Sequence, residues 1–260
     1  MRDTVQYPMN STRERILGMH VDAVRYDDVV RSAEVWSAQP LGRYICVSNV
    51  HMVMESKDSP EMQAAVNGAN LVVPDGMPLV WILRQRGYTE SERVRGAPLV
   101  FRLCEWAASK GIPVGFLGGG PGVVESMTQN LRHQIPALKI AFQRTPPYFT
   151  RVVPDARLIE EINESGAVIL FVGLGCPKQE LWMAAHVNSI KATMVGVGNA
   201  FDLHAGRVRD APKWMQQSGL EWIFRLTIEP RRLWRRYLVL NPRFVFHLAM
   251  ESLRLPRSRS

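Results

Sequence analysis

The segment VILFVGLGCPKQELW, residues 168–182, most constrains what this chain can fold into. Its apolar opening reads as a strand buried on both faces. A Gly-x-Gly turn follows, and Pro177-Lys178-Gln179-Glu180 opens a helix. A strand that feeds a helix through a tight glycine turn is the building unit of a parallel sheet. The same rhythm recurs along the chain. Strands are expected over 44–48, 71–73, 114–117, 138–142, 168–172 and 193–197. Helices are expected near 28–38, 50–57, 60–68, 76–86, 97–110, 121–133, 155–164 and 178–188. The fold class is therefore α/β: a mainly parallel, Rossmann-like sheet flanked by helices. The first fifteen or so residues read as loosely held. From about Arg207 the alternation stops, which divides the chain into a core over 1–206 and a helical, basic appendage over 207–260.

The charge follows that division. Residues 207–260 carry twelve Lys/Arg against four Asp/Glu, whereas 1–206 hold twenty of each, so the whole net charge of +8 belongs to the appendage. A neutral body with a basic, aromatic end points to an anionic surface as partner. Three cysteines, Cys46, Cys104 and Cys176, lack metal-ligand spacing and fit a reducing compartment. No apolar stretch follows the charged start, so no secretory signal is expected, and no run is long enough for a membrane span.

Four expected strand ends carry polar or glycine-rich residues, and in open α/β sheets such ends converge on the ligand. Ser48 and Asn49 follow the first strand, where they cap the next helix or bind a sugar hydroxyl. Asp75, in PDGMP, is a helix cap or a general base aimed into a cleft. Gly118 and Gly119, in FLGGGPG, form a tight turn or let backbone approach a phosphate. Gly173 and Gly175 make the fourth turn, and Lys178 with Gln179 then stands at a helix N-terminus, where anions are favoured. No Asp-x-Asp pair or histidine cluster with metal spacing occurs, so no metal and no cofactor is expected. His51 and His204, the only histidines near these motifs, read as structural. The glycine spacing is not G-x-G-x-x-G, which argues against the alternative of an NAD-type oxidoreductase.

In the appendage, Arg231, Arg232, Arg235 and Arg236 cluster on one side of a helix. Leu233, Trp234, Tyr237 and Leu238 interleave with them, and an apolar stripe from Phe244 to Leu253 follows. That combination suits an interfacial helix on anionic lipid; a packed surface helix with a solvated basic face is the plainer alternative. The aromatics are embedded among apolar residues rather than set out for base stacking, so nucleic acid is not the expected partner. A non-enzymatic basic adaptor for lipid or nucleic acid is the remaining rival.

Taken in order, SNVHMV (48–53), PDGMPLVW (74–81), RVRGAPL (93–99), FLGGGPGV (116–123), VGLGCPKQE (172–180), VGNAFDLHAGRVRDAPKWM (197–215) and GLEWIFRLTIEPRRLWRRY (219–237) resemble the WecG/TagA/CpsF family of bacterial glycosyltransferases. The resemblance runs from about Ile16 to Tyr237. It implies an inverting, metal-independent enzyme that moves a sugar from a UDP-sugar of ManNAc, ManNAcA or glucose type to a polyprenyl-diphosphate-linked saccharide. It further implies work at the cytoplasmic face of the bacterial membrane, held there peripherally by the appendage, with products in cell-wall polymer or exopolysaccharide. Soluble homo-oligomers that hide the appendage are part of the same expectation. By the matching motifs, Asp75 is the base, and Arg225, Arg232 and Arg235 complete the catalytic site. Ser48, Asn49, Arg95, Lys178, Gln179 and Glu180 join the four motif glycines in substrate binding. Ser48 stands where the family usually has Thr, Asn199 where it commonly has Gly, and Asp210 interrupts the usual Arg-Ala-Pro.

Overall fold

The computed structural model describes residues 13–147 and 155–254. In chain order the elements begin with β1 (Arg13–Ile16), β2 (Met19–Asp22), α1 (Tyr26–Ser37), β3 (Arg43–Ser48), α2 (Val50–Asp58), α3 (Pro60–Asn67), β4 (Leu71–Pro74), α4 (Met77–Gln85), α5 (Gly96–Ser109), β5 (Val114–Gly118) and α6 (Val123–Gln134). They continue with β6 (Ile140–Arg144), α7 (Ala156–Glu164), β7 (Ile169–Gly173), α8 (Lys178–His186), β8 (Thr193–Gly196) and α9 (Ala200–His204). The C-terminal helices are α10 (Lys213–Gln217), α11 (Glu221–Ile228), α12 (Pro230–Trp234), a π-helical turn over Arg235–Leu240, and α13 (Asn241–Arg254). Among the described residues, no helix is long and apolar enough to cross a membrane.

Strands β3 to β8 form one six-stranded sheet in the order β4-β3-β8-β7-β5-β6, parallel throughout. The apolar runs explain why it is covered on both faces. In β3, Ile45 and Val47 enter one core while Tyr44 and Cys46 enter the other, as period-two alternation requires. The first core is closed by α1, α5, α6 and α9; the second by α2, α3, α4, α7, α8 and the β1–β2 hairpin. Under the glycine loops the first core is aromatic. Phe116 stacks on Phe171 with centroids 5.1 Å apart, and Phe201 meets Phe116 edge-on at 6.0 Å. Such offset and edge-on pairs hold rings at fixed depth.

The β1–β2 hairpin is a departure from the sequence reading, which took the chain up to about residue 15 as loosely held. Arg-Glu-Arg-Ile carries too much charge over too few residues to read as a strand. A long-range ion pair makes it one. The buried Asp22 carboxylate accepts from Arg13 Nε at 2.9 Å and Nη2 at 3.0 Å, and from the Val72 backbone N–H of β4 at 2.7 Å. Arg13 Nη2 also donates to the carbonyls of Ala69 and Asn70. The hairpin is thereby pinned beside the edge strand β4. Strand β6, at the other edge, lies two residues later than expected because Leu138 is used as a core residue before the strand begins. Replacement Asp22→Ala removes the carboxylate partner of a part-buried guanidinium and the acceptor of the buried Val72 N–H, and should cost about 3 kcal/mol in urea unfolding.

Candidate active site

All six parallel strands end at one edge, and their following loops line a single cleft of about 780 Å³. Asn49 enters it after β3, Asp75 after β4, Gly119 and Gly120 after β5, Thr145 after β6, Gly173 to Cys176 after β7, and Gly198 and Asn199 after β8. The C-terminal helices complete its wall with Arg225, Arg232, Leu233 and Arg236.

Close contact between loops dictates two of the glycines. A Cβ on Gly118 would lie 2.5 Å from the Gly173 carbonyl, and one on Gly173 would lie 2.7 Å from the Phe201 ring. With both side chains absent, the Gly119 N–H donates to the Gly173 carbonyl at 3.0 Å and ties the β5 loop to the β7 loop. Gln179 makes the next tie. Its buried Oε1 accepts from the N–H of Gly175 at 3.2 Å and of Gly198 at 3.1 Å, so the β7 and β8 loops share one amide. Its Nε2 donates to Glu180 Oε1 at 2.7 Å, which fixes which end of the amide faces the loops.

Asp75 is held from behind. Its N–H donates to the Ser48 carbonyl at 2.7 Å, and its own carbonyl accepts from Arg93 Nε. Arg93 Nη2 lies 3.7 Å from Asp75 Oδ1 and 2.8 Å from Glu221 Oε2. Burial pushes the Asp75 carboxyl above its ordinary pKa, against the opposing pull of the Arg93 guanidinium, and the Glu221 charge adds to the rise. A carboxylate raised in this way is a better proton acceptor than a solvated one.

A second, more apolar groove of about 230 Å³ adjoins the cleft. Met77, Pro78 and Trp81 of α4 face Leu220, Trp222 and Tyr237 across it. The two cavities share five lining residues: Asn49, His51, Asp75, Arg225 and Arg236. A large polar chamber and a small apolar one thus meet at a carboxylate flanked by two guanidinium groups.

The glycosyl transferase WecG/TagA/CpsF family matches residues 14–258 of the 260. The chain belongs to this family. It is a glycosyltransferase of cell-surface polysaccharide synthesis, a class that works with a sugar donor and a lipid-linked acceptor.

Of the residues expected in the site of this glycosyltransferase, Asn49, Asp75, Gly119, Gly173, Gly175, Lys178, Gln179, Arg225 and Arg232 line the cleft. Asn49 also caps α2, its Oδ1 accepting from the Met52 N–H at 3.3 Å, so both readings of that residue hold. Arg232 is paired with Glu229, from Nε to Oε1 at 2.8 Å. Five others lie elsewhere. The buried Ser48 hydroxyl donates to the Val73 carbonyl at 2.8 Å. Gly118 is enclosed against Gly173. Arg95 turns to the C-terminal segment, meeting Gln216 Oε1 at 2.6 Å, Asp210 Oδ1 at 2.5 Å and Glu221 Oε2 at 3.3 Å. Asp210, unusual by the family pattern, is therefore a partner of Arg95. Glu180 is fully buried behind Gln179. Arg235 is exposed away from the cleft, and its neighbour Arg236 faces in.

The sequence reading left Arg93, Asn199, Asp202, Glu221 and Arg236 outside the site and took His51 as structural. Asn199 and Asp202 follow a strand and were findable by the strand-end rule. His51 lines both cavities, while its Nε2 lies 3.3 Å from Glu55 Oε1. His204 is structural, with Nε2 2.9 Å from the Ala97 carbonyl. Among the described residues, no group of three or more His, Cys, Asp or Glu is placed to hold a metal ion.

Burial pushes Glu180 up to about 7, against Gln179, whose donated hydrogen bond pulls it down. A carboxyl raised in the folded state binds a proton there that the unfolded chain gives up, so its contribution declines from pH ~4.5 to ~7. Glu180→Gln keeps an acceptor for Gln179 without the charge. Its unfolding free energy should fall less than that of the native protein across that window, as denaturation at several pH values will show.

Proposed function

We propose that the enzyme transfers a sugar, with inversion and without a metal ion, from a UDP-sugar of ManNAc, ManNAcA or glucose type to a polyprenyl-diphosphate-linked saccharide. The observation that carries this reading is the position of Asp75 at the junction of the polar cleft and the apolar groove. The cleft suits a nucleotide diphosphate: it is lined by glycine loops, by the start of α8 with Lys178, and by arginines. The groove suits the acceptor, with apolar and indole surface leading away from the carboxylate.

In the proposed reaction the acceptor hydroxyl gives its proton to Asp75 and its oxygen attacks the anomeric carbon from the groove side. The bond from that carbon to the diphosphate oxygen breaks, and the electron pair leaves with UDP. One in-line displacement inverts the centre, so one carboxylate suffices. Arg225, Arg232 and Arg236 meet the charge that grows on the leaving diphosphate. UDP release, measured with a panel of UDP-sugars, a polyprenyl-diphosphate saccharide and EDTA, tests the whole scheme. Asp75→Asn should lower kcat by about 10²- to 10⁴-fold with the fold intact. Near-native turnover in that variant removes Asp75 as the base.

The proposal includes peripheral attachment to the inner face of the cell membrane. Trp234, Leu238, Val245, Phe246 and Leu253 are exposed on the C-terminal helices, with Arg231 and Arg235 also exposed there. Apolar side chains with cations beside them favour an anionic bilayer. Trp234→Glu with Phe246→Glu should abolish sedimentation with anionic vesicles while UDP binding persists; undiminished sedimentation would refute the attachment.

A further inference from the structure

We infer that Glu221, the first residue of α11, is a positioning residue for Asp75: it holds the Arg93 guanidinium away from the Asp75 carboxylate. This rests on the reading of Asp75 as the base and adds a group that acts on it from the C-terminal helices.

The geometry is an unequal competition for one nitrogen. Arg93 Nη2 is 2.8 Å from Glu221 Oε2 and 3.7 Å from Asp75 Oδ1. The remaining donors are anchored: Nε goes to the Asp75 carbonyl, and Nη1 goes to the Gln216 carbonyl at 3.1 Å. Arg93 therefore cannot swing out of the site; it can only choose between two carboxylates. Arg95 Nε reaches the same Glu221 oxygen at 3.3 Å and fixes where that carboxylate stands. The Arg93, Arg95 and Glu221 side chains keep only 16%, 12% and 13% of their surface exposed, so water screens the competition weakly.

The groups around Asp75 come from several elements. Arg93 and Arg95 precede α5, Glu221 and Arg225 belong to α11, His51 to α2, Arg236 to the π-helical turn, and Tyr26 to α1. Burial raises the pKa of Asp75 most; among the charged groups Arg93 lowers it, Glu221 raises it, and Arg95 and Arg225 lower it. Losing the Glu221 charge works twice in one direction: a raising influence is gone, and Arg93 has only Asp75 left to pair with. Asp75 then ionises at lower pH, and as a base clamped by a guanidinium it takes a proton less readily.

The test uses the full-length enzyme on anionic vesicles with lipid-linked acceptor, following kcat, donor KM and the acidic limb of the kcat/KM profile. For Glu221→Gln, kcat should fall by about ten-fold, the acidic limb should move to lower pH, and donor KM should change by less than about two-fold. Adding Arg93→Gln should move the limb back up, and Glu221→Asp should restore part of the rate. Asp210→Asn, which removes a partner of Arg95 but leaves the Arg93–Glu221 pair, should leave the limb in place. An unmoved limb in Glu221→Gln, a limb that stays low in the double variant, or an equal shift in Asp210→Asn each overturns the role of Glu221. Those failures stand apart from failure of the base itself, which is read from Asp75→Asn alone.

Discussion

Two guanidinium groups converge on one carboxylate, and the active cleft depends on it. Arg93 and Arg95, on the segment between α4 and α5, meet at Glu221, with Gln216 and Asp210 beside them. Helices α10 and α11 bury none of their own residues, so apolar packing does little to hold them. The ion pairs and hydrogen bonds carry the attachment, aided by Leu233 and Phe244 further along and by the Arg243–Asp58 pair. Partly buried charges of this kind are weak sources of stability but demanding in geometry. They set where Arg225 and Arg236 stand, and those arginines form the wall between cleft and groove.

The body supplies the opposite material. A parallel sheet with apolar residues alternating into two cores is rigid, and it brings every strand end to one edge. Backbone contacts then knit the loops together: Gly119 to Gly173, and Gly175 and Gly198 to Gln179. Gln179 uses its amide oxygen on the protein's own loops. In the proposed donor site its part is thus to shape the loops, with Lys178 and the arginines left to answer charge.

The sheet, its strand ends and the base candidate were legible because they rest on local pattern. Apolar runs of strand length, glycines at their ends and Asp75 after β4 are all visible within short windows. What escaped depends on partners far apart in sequence. Arg13 becomes part of a strand only through Asp22 and β4. Arg95 looks like a substrate ligand until Asp210 and Glu221 fold against it, and Glu180 looks like part of the anion site until burial turns it behind Gln179. The choice between Arg235 and Arg236 is a matter of helix phase, which the π-helical turn alters; a periodicity of 3.6 assigns both to one side.

The stacked phenylalanines have a thermodynamic side. Phe201 lies directly under Gly173 and Gly119, so the glycine loops rest on a hard aromatic floor instead of hanging free. Glycine loops without such support surrender much conformational entropy when a ligand orders them. Here that loss is already absorbed in folding, so the proposed UDP-sugar donor would meet a cradle of settled shape, with its binding energy left for contacts. The glycines are thus the firmly supported part of the cleft, and α10 and α11, which bury none of their own residues, have no such floor beneath them.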